Sequence, residues 1–393
     1  MHNITLAGLD STYPSFDIQE LMTQFEAVND QRKAQGIRYK LPCLLAMILL
    51  AKLAGETKPS SIADWLKLRK EQFVTLFNLK HAQVPSLNTI RRTLSETIIA
   101  QELQKVVGHY LHDRYGGDAS EQMVLDGKTM RGTIVKGEKT GVHLLSAYLP
   151  EGGVVQDQLE VASKENEITA APRLLAKLNL KGKVVSGDAM FTQRKLSVQV
   201  TAQGGDYLWF VKDNQPTLLA DVQQFFQPPR KAKGWHIPPL EYHEATSLDK
   251  GHGRIEQRRI RVIYDETEFL NWPNAKLVFR LERKVTHIAT GLTSLETAYG
   301  ISSLGPEPTV AQQLLALARA HWCIENGLHY RRDVTLNEDA TKMKSATQAE
   351  AVAVLNNFIV GLAQKLGFAN LAYALRHFNA QLNARLAQLA LSS

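Results

Sequence analysis

Met123-Val124-Leu125-Asp126 and, further on, Val184-Val185-Ser186-Gly187-Asp188 decide the reading of this chain. Each is a short apolar run that ends on an acid, the pattern of a buried strand whose last residue emerges at the rim of a sheet. Between them lie two more strand-like runs, Val142 to Leu149 and Val154 to Val161. The intervening turns, Lys136-Gly137-Glu138-Lys139 and Pro150-Glu151-Gly152-Gly153, suit an antiparallel meander. A helix from about Ile168 to Leu178 is announced by Asn166-Glu167, a second from about Thr192 to Ala202 follows Asp188, and Tyr207-Leu208-Trp209-Phe210-Val211 is another strand.

Three antiparallel strands followed by alternating helix and strand predict a mixed sheet of the ribonuclease H kind, an α/β core. In that order the strands ending on Asp126 and Asp188 are neighbours, and their carboxylates converge. A single Asp at a strand end is more often a turn or cap residue. Two converging acids repel one another, and hard divalent cations such as Mg²⁺ or Mn²⁺ relieve that repulsion. A pair of such ions serves the in-line displacement carried out by nucleases and transposases. The residues alone leave a third acid open among Glu325, Asp333, Glu338 and Asp339. Glu325 falls in a run with helical spacing from about Thr309 to Leu328, where an ion pair with Arg319, His321, Arg331 or Arg332 is the competing explanation.

Outward from this core the pattern is helical on both sides. Apolar residues recur at helical steps in Ile18 to Phe25, Leu41 to Leu53, Ile62 to Leu68 and Phe73 to Phe77. Ser86 then caps a helix carrying Asn88, Arg91 and Arg92, which reads either as the DNA-reading helix of a helix-turn-helix or as an ordinary solvated face. A linking helix, about Glu102 to Tyr115, ends at Gly116-Gly117. Prolines 228, 229, 238, 239 and 273 break the rhythm after the core, and strand-like runs at Arg259 to Tyr264 and Lys276 to Leu281 predict a β-rich insertion. The expected division is a helical N-terminal DNA-binding domain (1–98), a linking helix (99–118), the first part of the core (119–226), the insertion (227–304), the rest of the core with the glutamate helix (305–345) and C-terminal helices (346–393).

Lys and Arg outnumber Asp and Glu by 46 to 39, a net charge of +7 over 393 residues, which suits a polyanionic partner without demanding one. Candidate phosphate contacts are Lys128 and Arg131 after the first acid, Lys212, Asn214 and Gln215 after a core strand, and His252, Arg254, Arg258 and Arg259 in the insertion. A charged exposed hairpin accounts for the last group equally well. The two cysteines, Cys43 and Cys323, form no zinc or CxxC pattern, and the first residues carry no leader of signal-peptide type. Leu41 to Gly55 is too short to span a bilayer. A reducing cytoplasm and no membrane partner are expected.

Leu125-Asp126-Gly127-Lys128-Thr129-Met130-Arg131-Gly132, Ser163-Lys164-Glu165-Asn166-Glu167-Ile168, Gly187-Asp188-Ala189-Met190, Lys250-Gly251-His252-Gly253-Arg254-Ile255-Glu256 and His321-Trp322-Cys323-Ile324-Glu325-Asn326 resemble, in order and spacing, the H-repeat-associated (ISAs-type) insertion-sequence transposases. Asp333-Val334-Thr335-Leu336-Asn337-Glu338-Asp339-Ala340 extends the resemblance. It implies a DDE transposase with a ribonuclease H-like core interrupted by a β-rich insertion. Asp126, Asp188 and Glu325 would be its acids, holding two Mg²⁺ or Mn²⁺ ions, and double-stranded DNA, both element ends and target, its substrate. A homodimer on paired ends would be the working form. In the broader group a Tyr, an Arg and a Lys flank the glutamate at fixed spacing; here Ala318, His321 and Arg332 stand at those positions, and His321 and Arg332 join the expected phosphate contacts. A domesticated DNA-binding protein and a stand-alone nuclease are the alternative expectations.

Overall fold

The computed structural model describes residues 3–35, 37–115, 122–162, 164–227, 241–343 and 345–391. Gly116-Gly117, Ser163 and the prolines at 228, 229, 238 and 239 lie outside the described residues. The chain opens with the strand pair β1 (Thr5–Leu6) and β2 (Phe16–Asp17) and six helices: α1 (Ile18–Phe25), α2 (Leu41–Leu53), α3 (Pro59–Leu68), α4 (Lys70–Phe77), α5 (Leu87–Arg92) and α6 (Ala100–Tyr115). Then come β3 (Gln122–Thr129), β4 (His143–Leu149), β5 (Val154–Val161), α7 (Glu167–Leu175), β6 (Val184–Gly187), α8 (Arg194–Ala202), β7 (Asp206–Val211) and α9 (Pro216–Gln224). Four long strands, β8 (His243–Gly251), β9 (Arg254–Tyr264), β10 (Leu277–His287) and β11 (Thr293–Ser302), precede α10 (Val310–His321), α11 (Ala346–Lys365) and α12 (Leu371–Leu391).

Two compact units share these elements. One comprises Met1–Ala119, Gly127–Lys164 and Ile324–Ser393, the other Ser120–Asp126 and Glu165–Cys323. In the first, α2 is apolar around its whole circumference and correspondingly buried on all sides. Asp17 and Ser86 cap α1 and α5 by accepting hydrogen bonds from backbone amides, which fixes where those helices begin. β4 and β5 form an antiparallel hairpin in register His143↔Val161, with a bulge between Ala147 and Tyr148.

The second unit is built on a mixed sheet in the order β3-β6-β7-β11-β10-β9-β8. β3, β6 and β7 run parallel, and their core-facing runs of Val, Leu and Trp are buried, as parallel strands require. From β7 outward every pairing is antiparallel. The segment expected as an insertion thus supplies β8 to β11, and β11 pairs directly with the edge of β7 through Tyr299↔Val211 and its neighbours. Val310, Leu314 and Ala318 of α10 pack on Ile260, Leu277 and Phe279 of these strands.

The stretch expected to be helical from Thr309 through Leu328 is so from Val310 onward, apart from a turn at Trp322, but its winding changes. α10 stops at His321, and the chain continues in two π-helical turns, Glu325–His329 and Arg331–Thr335. Such wide turns displace side chains from regular helical spacing and recur at functional sites.

Candidate active site

Register places the first two acids. β3 pairs with β6 from Gln122↔Val184 to Leu125↔Gly187, so Asp126 and Asp188 each follow the last paired residue of adjacent parallel strands. Asp126 is half-buried and Asp188 exposed. Asp188 also caps a short 3₁₀ turn, its Oδ1 accepting from the Ala189 amide at 2.9 Å. Lys212 Nζ donates to the same oxygen at 2.9 Å. Burial works to raise the Asp188 carboxyl, but the Lys212 and Ala189 hydrogen bonds outweigh it and hold the pKa below the usual carboxylate range.

Asn214 and Gln215, expected as DNA contacts, are exposed and half-buried respectively, and each bonds the neighbouring loop. Asn214 Nδ2 donates to the Ala189 carbonyl at 2.9 Å, and Gln215 Nε2 to the Thr192 carbonyl at 3.0 Å. Thr192 Oγ1 in turn donates to the Phe210 carbonyl at 2.6 Å. The segment after β7 therefore clamps the loop that carries Asp188.

His321 belongs to the same cluster and is only 6% exposed. Burial, against the pull of Asp126 and Asp188, pushes its pKa down to about 4, so the ring is neutral near pH 7. A buried neutral imidazole attracts no phosphate by charge, so a DNA contact by His321 would have to be a hydrogen bond.

In the other unit, Lys128 and Arg131 meet acids. Lys128 Nζ lies 2.6 Å from Asp333 Oδ1 and 3.5 Å from Asp339 Oδ1, and the Arg131 amide donates to Asp339 Oδ1 at 3.0 Å. Arg131 keeps an exposed guanidinium. Arg332 corrects an expectation. It is completely buried, and its guanidinium donates to both oxygens of Glu338 at 2.8 to 3.0 Å, so it faces no solvent and no phosphate. Glu325, by contrast, is exposed and has no ion pair among the described residues. Of the four acids the sequence left open, Asp333, Asp339 and Glu338 are thus engaged by cations.

The basic hairpin is largely self-neutralised. His252 and Gly253, both at positive φ, make the two-residue turn between β8 and β9. Behind that tip Arg254 and Arg258 pair with Glu256, Arg258 also with Asp249, and Arg259 with Glu244. This matches the charged-hairpin alternative, and His252 remains exposed at the tip. On α5, Ile90 faces the core while Asn88, Arg91 and Arg92 are exposed at helical spacing on one side.

Two groups escaped the sequence reading, Gln122 and Ser186, because a lone polar residue inside an apolar strand carries no motif. Both are buried, with Gln122 Nε2 donating to Ser186 Oγ at 2.8 Å. Among the described residues no three of His, Cys, Asp and Glu are gathered closely enough to hold a metal ion.

A mixed α/β protein with two carboxylates just past the paired stretch of adjacent parallel strands is what these residues define. The chain belongs to the DDE transposase family: residues 119–360 match the family described as Transposase DDE domain, and residues 22–111 the one described as DDE_Tnp_1-associated. It is 28% identical to the "H repeat-associated putative transposase YhhI" of Escherichia coli K12 over 89% of this chain and 94% of that one. To the "Putative transposase YncI" of E. coli O157:H7 it is 30% identical, over 88% and 87% respectively. The piggyBac transposase in a synaptic complex with hairpin DNA overlays loosely, at a TM-score of 0.45 and 8% identity, over 100% of this chain and 85% of that one. The resemblance carried by the motifs is borne out.

Proposed function

We propose that this chain is a DNA transposase that binds the inverted-repeat ends of an insertion sequence and cleaves and joins DNA strands. The observation that carries the reading is the register Leu125↔Gly187, after which Asp126 and Asp188 are the next residue on each of two neighbouring parallel strands. The donor set fits a divalent cation: the oxygens are hard, Asp188 is held ionised, and Lys212 Nζ already seats a positive charge on it. Asp126 and Asp188, with Glu325 as the third acid supplied by the family resemblance, would hold two Mg²⁺ or Mn²⁺ ions. When bound, these would activate the attacking oxygen and stabilise the leaving one.

The chain's own residues do the rest. Asn214, Gln215 and Thr192 fix the loop on which Asp188 sits. Lys212, 60% exposed, has room to exchange Asp188 for a DNA phosphate. Arg131, Arg91 and Arg92 offer exposed guanidinium groups for the backbone, and Asn88 an amide for a base edge. Two ends cut in concert call for a homodimer on paired DNA. No helix among the described residues is long and apolar enough to cross a membrane.

The test is a supercoiled plasmid carrying the element's ends, incubated with the full chain and Mg²⁺ or Mn²⁺. Metal-dependent cutting and joining is expected, and Asp126→Ala, Asp188→Ala and Glu325→Ala should each abolish it. Wild-type cutting by all three variants would sink the assignment. Sequence-selective binding without any cutting would point to a domesticated DNA-binding protein.

A further inference from the structure

Gln122, Ser186 and His321 form a buried polar chain beside the acid pair. Gln122 begins β3, the strand that carries Asp126, and Ser186 lies in β6 two residues before Asp188. His321 is the last residue of α10, the helix that leads in sequence to Glu325. Their exposures are 4%, 0% and 6%, so none of the three relies on solvent. Gln122 Nε2 donates one hydrogen to Ser186 Oγ at 2.8 Å and the other to the Leu317 carbonyl of α10 at 2.9 Å. Ser186 Oγ lies 3.3 Å from His321 Nδ1.

The direction of that last bond follows from the first two. An amide nitrogen only donates, so Ser186 Oγ must accept from Gln122. Its own proton then needs an acceptor, and His321 Nδ1 is the one at hand. Reversing the bond would strand a hydroxyl proton in a closed site, which buried polar groups avoid. Nδ1 therefore accepts, and a neutral ring carries its proton on Nε2. Neutrality agrees with the depth of burial.

We propose that Gln122, Ser186 and His321 are positioning residues that tie the two acid-bearing strands to α10 at a fixed level, with His321 held as the neutral Nε2–H tautomer. The idea rests on the DNA-cleaving reading of Asp126 and Asp188. It gives His321 a part in which placement matters and charge does not. A side chain at this point that carried a permanent charge could not accept from Ser186.

Two readouts test it on the full chain. In nitrogen-15 histidine spectra at about pH 7, assigned with His321→Asn, the ring should show the neutral Nε2–H signature. Gln122→Glu converts the donor to an acceptor, draws the Ser186 proton away and should turn the ring to Nδ1–H. In the plasmid assay Gln122→Glu and the milder Ser186→Ala should lower kcat by roughly 10- to 100-fold and raise the metal concentration for half-maximal cutting. DNA affinity should be unchanged. A wild-type ring that is doubly protonated, or protonated on Nδ1, overturns the proposal, as do variants that cut at the wild-type rate in a protein that cuts. A wild-type protein that cuts with neither metal overturns the enzymatic reading and the purpose of the relay with it.

Discussion

Asp126 and Asp188 each stand one residue beyond Leu125↔Gly187, the last pair in register between two parallel strands; β6 ends there, while β3 runs on to Thr129. The ion pair that Asp188 makes lies at the surface: Asp188 is 57% exposed and its partner Lys212 60%. An exposed pair of this kind contributes about 0 to 1 kcal/mol. Asp188→Asn should therefore leave the denaturation midpoint nearly unchanged while reducing metal-dependent cutting by more than about 100-fold, beyond the loss typical of residues that only support a metal ligand. A matching fall in stability and cutting would instead make Asp188 a structural cap.

Arg332 and Glu338 demand the opposite behaviour. Both are fully buried, joined by two-pronged hydrogen bonds, and Asn356 Nδ2 adds a donation to Glu338 at 2.7 Å. Arg332 also donates to Asn357 Oδ1 at 3.2 Å, and Asn357 to Gln158 Oε1 at 2.8 Å. Glu338→Gln leaves a buried guanidinium uncompensated and should cost about 3 to 5 kcal/mol in urea denaturation. Burial acts to raise the Glu338 carboxyl, but Arg332 and Asn356 bring it below its ordinary 4.5. A depressed folded pKa means the contribution is complete above about pH 4.5 and is lost as pH falls through the folded value. Wild-type stability should fall in that acid range more steeply than that of a variant lacking both charges.

The strands that carry the acids were legible from their apolar runs, and Val184–Gly187 emerges with the bounds the sequence suggested, but β3 continues past Asp126 to Thr129, through residues too polar to read as strand. β8 and β11 were not legible. His243-Glu-Ala-Thr-Ser-Leu-Asp-Lys-Gly251 is mostly exposed, and Thr293 to Thr297 is exposed at every residue, so no alternation marks either strand. The partners of the polar segments were hidden for a related reason. Arg332, Asn214 and Gln215 have the side chains that DNA recognition uses, but long-range partners, invisible to local pattern, had already engaged them. Glu325 remained ambiguous because no local pattern announces that the helical run widens into a π-helical turn at that residue.

Gly132, the last residue of the Leu125-to-Gly132 motif, gives a prediction about packing. Its carbonyl accepts from the Met343 amide at 3.2 Å, and a Cβ built on it would collide with the Thr341 carbonyl oxygen and stand 3.1 Å from that of Glu338. Both obstacles are backbone, which cannot rotate away. Gly132→Ala should destabilise by about 1 to 3 kcal/mol, read as a lower urea midpoint. An unchanged midpoint would mean that the 338–343 segment yields freely.

Lys52 lies in the last turn of α2, a helix otherwise made of Leu, Pro, Cys, Ala, Met and Ile, and is 2% exposed. Burial depresses its pKa from 10.5 to about 8, with Glu338 pulling the other way. Below about pH 8 the amine is protonated in folded and unfolded chains alike, and the folded state bears the full cost of the buried charge. Between about 8 and 10.5 the unfolded chain holds the proton more tightly, so stability rises with pH, and above 10.5 the cost is gone. That gap corresponds to about 3 kcal/mol. Lys52→Met keeps the length of the side chain and removes the charge, so it should raise stability near pH 7 by roughly 1 to 3 kcal/mol, with the gain shrinking as pH approaches 10.5. Glu338 retains Arg332 as its counter-ion in that variant. If the substitution destabilises the protein at neutral pH, the attraction to Glu338 exceeds the desolvation of the ammonium, and Lys52 is a required member of the buried charge network.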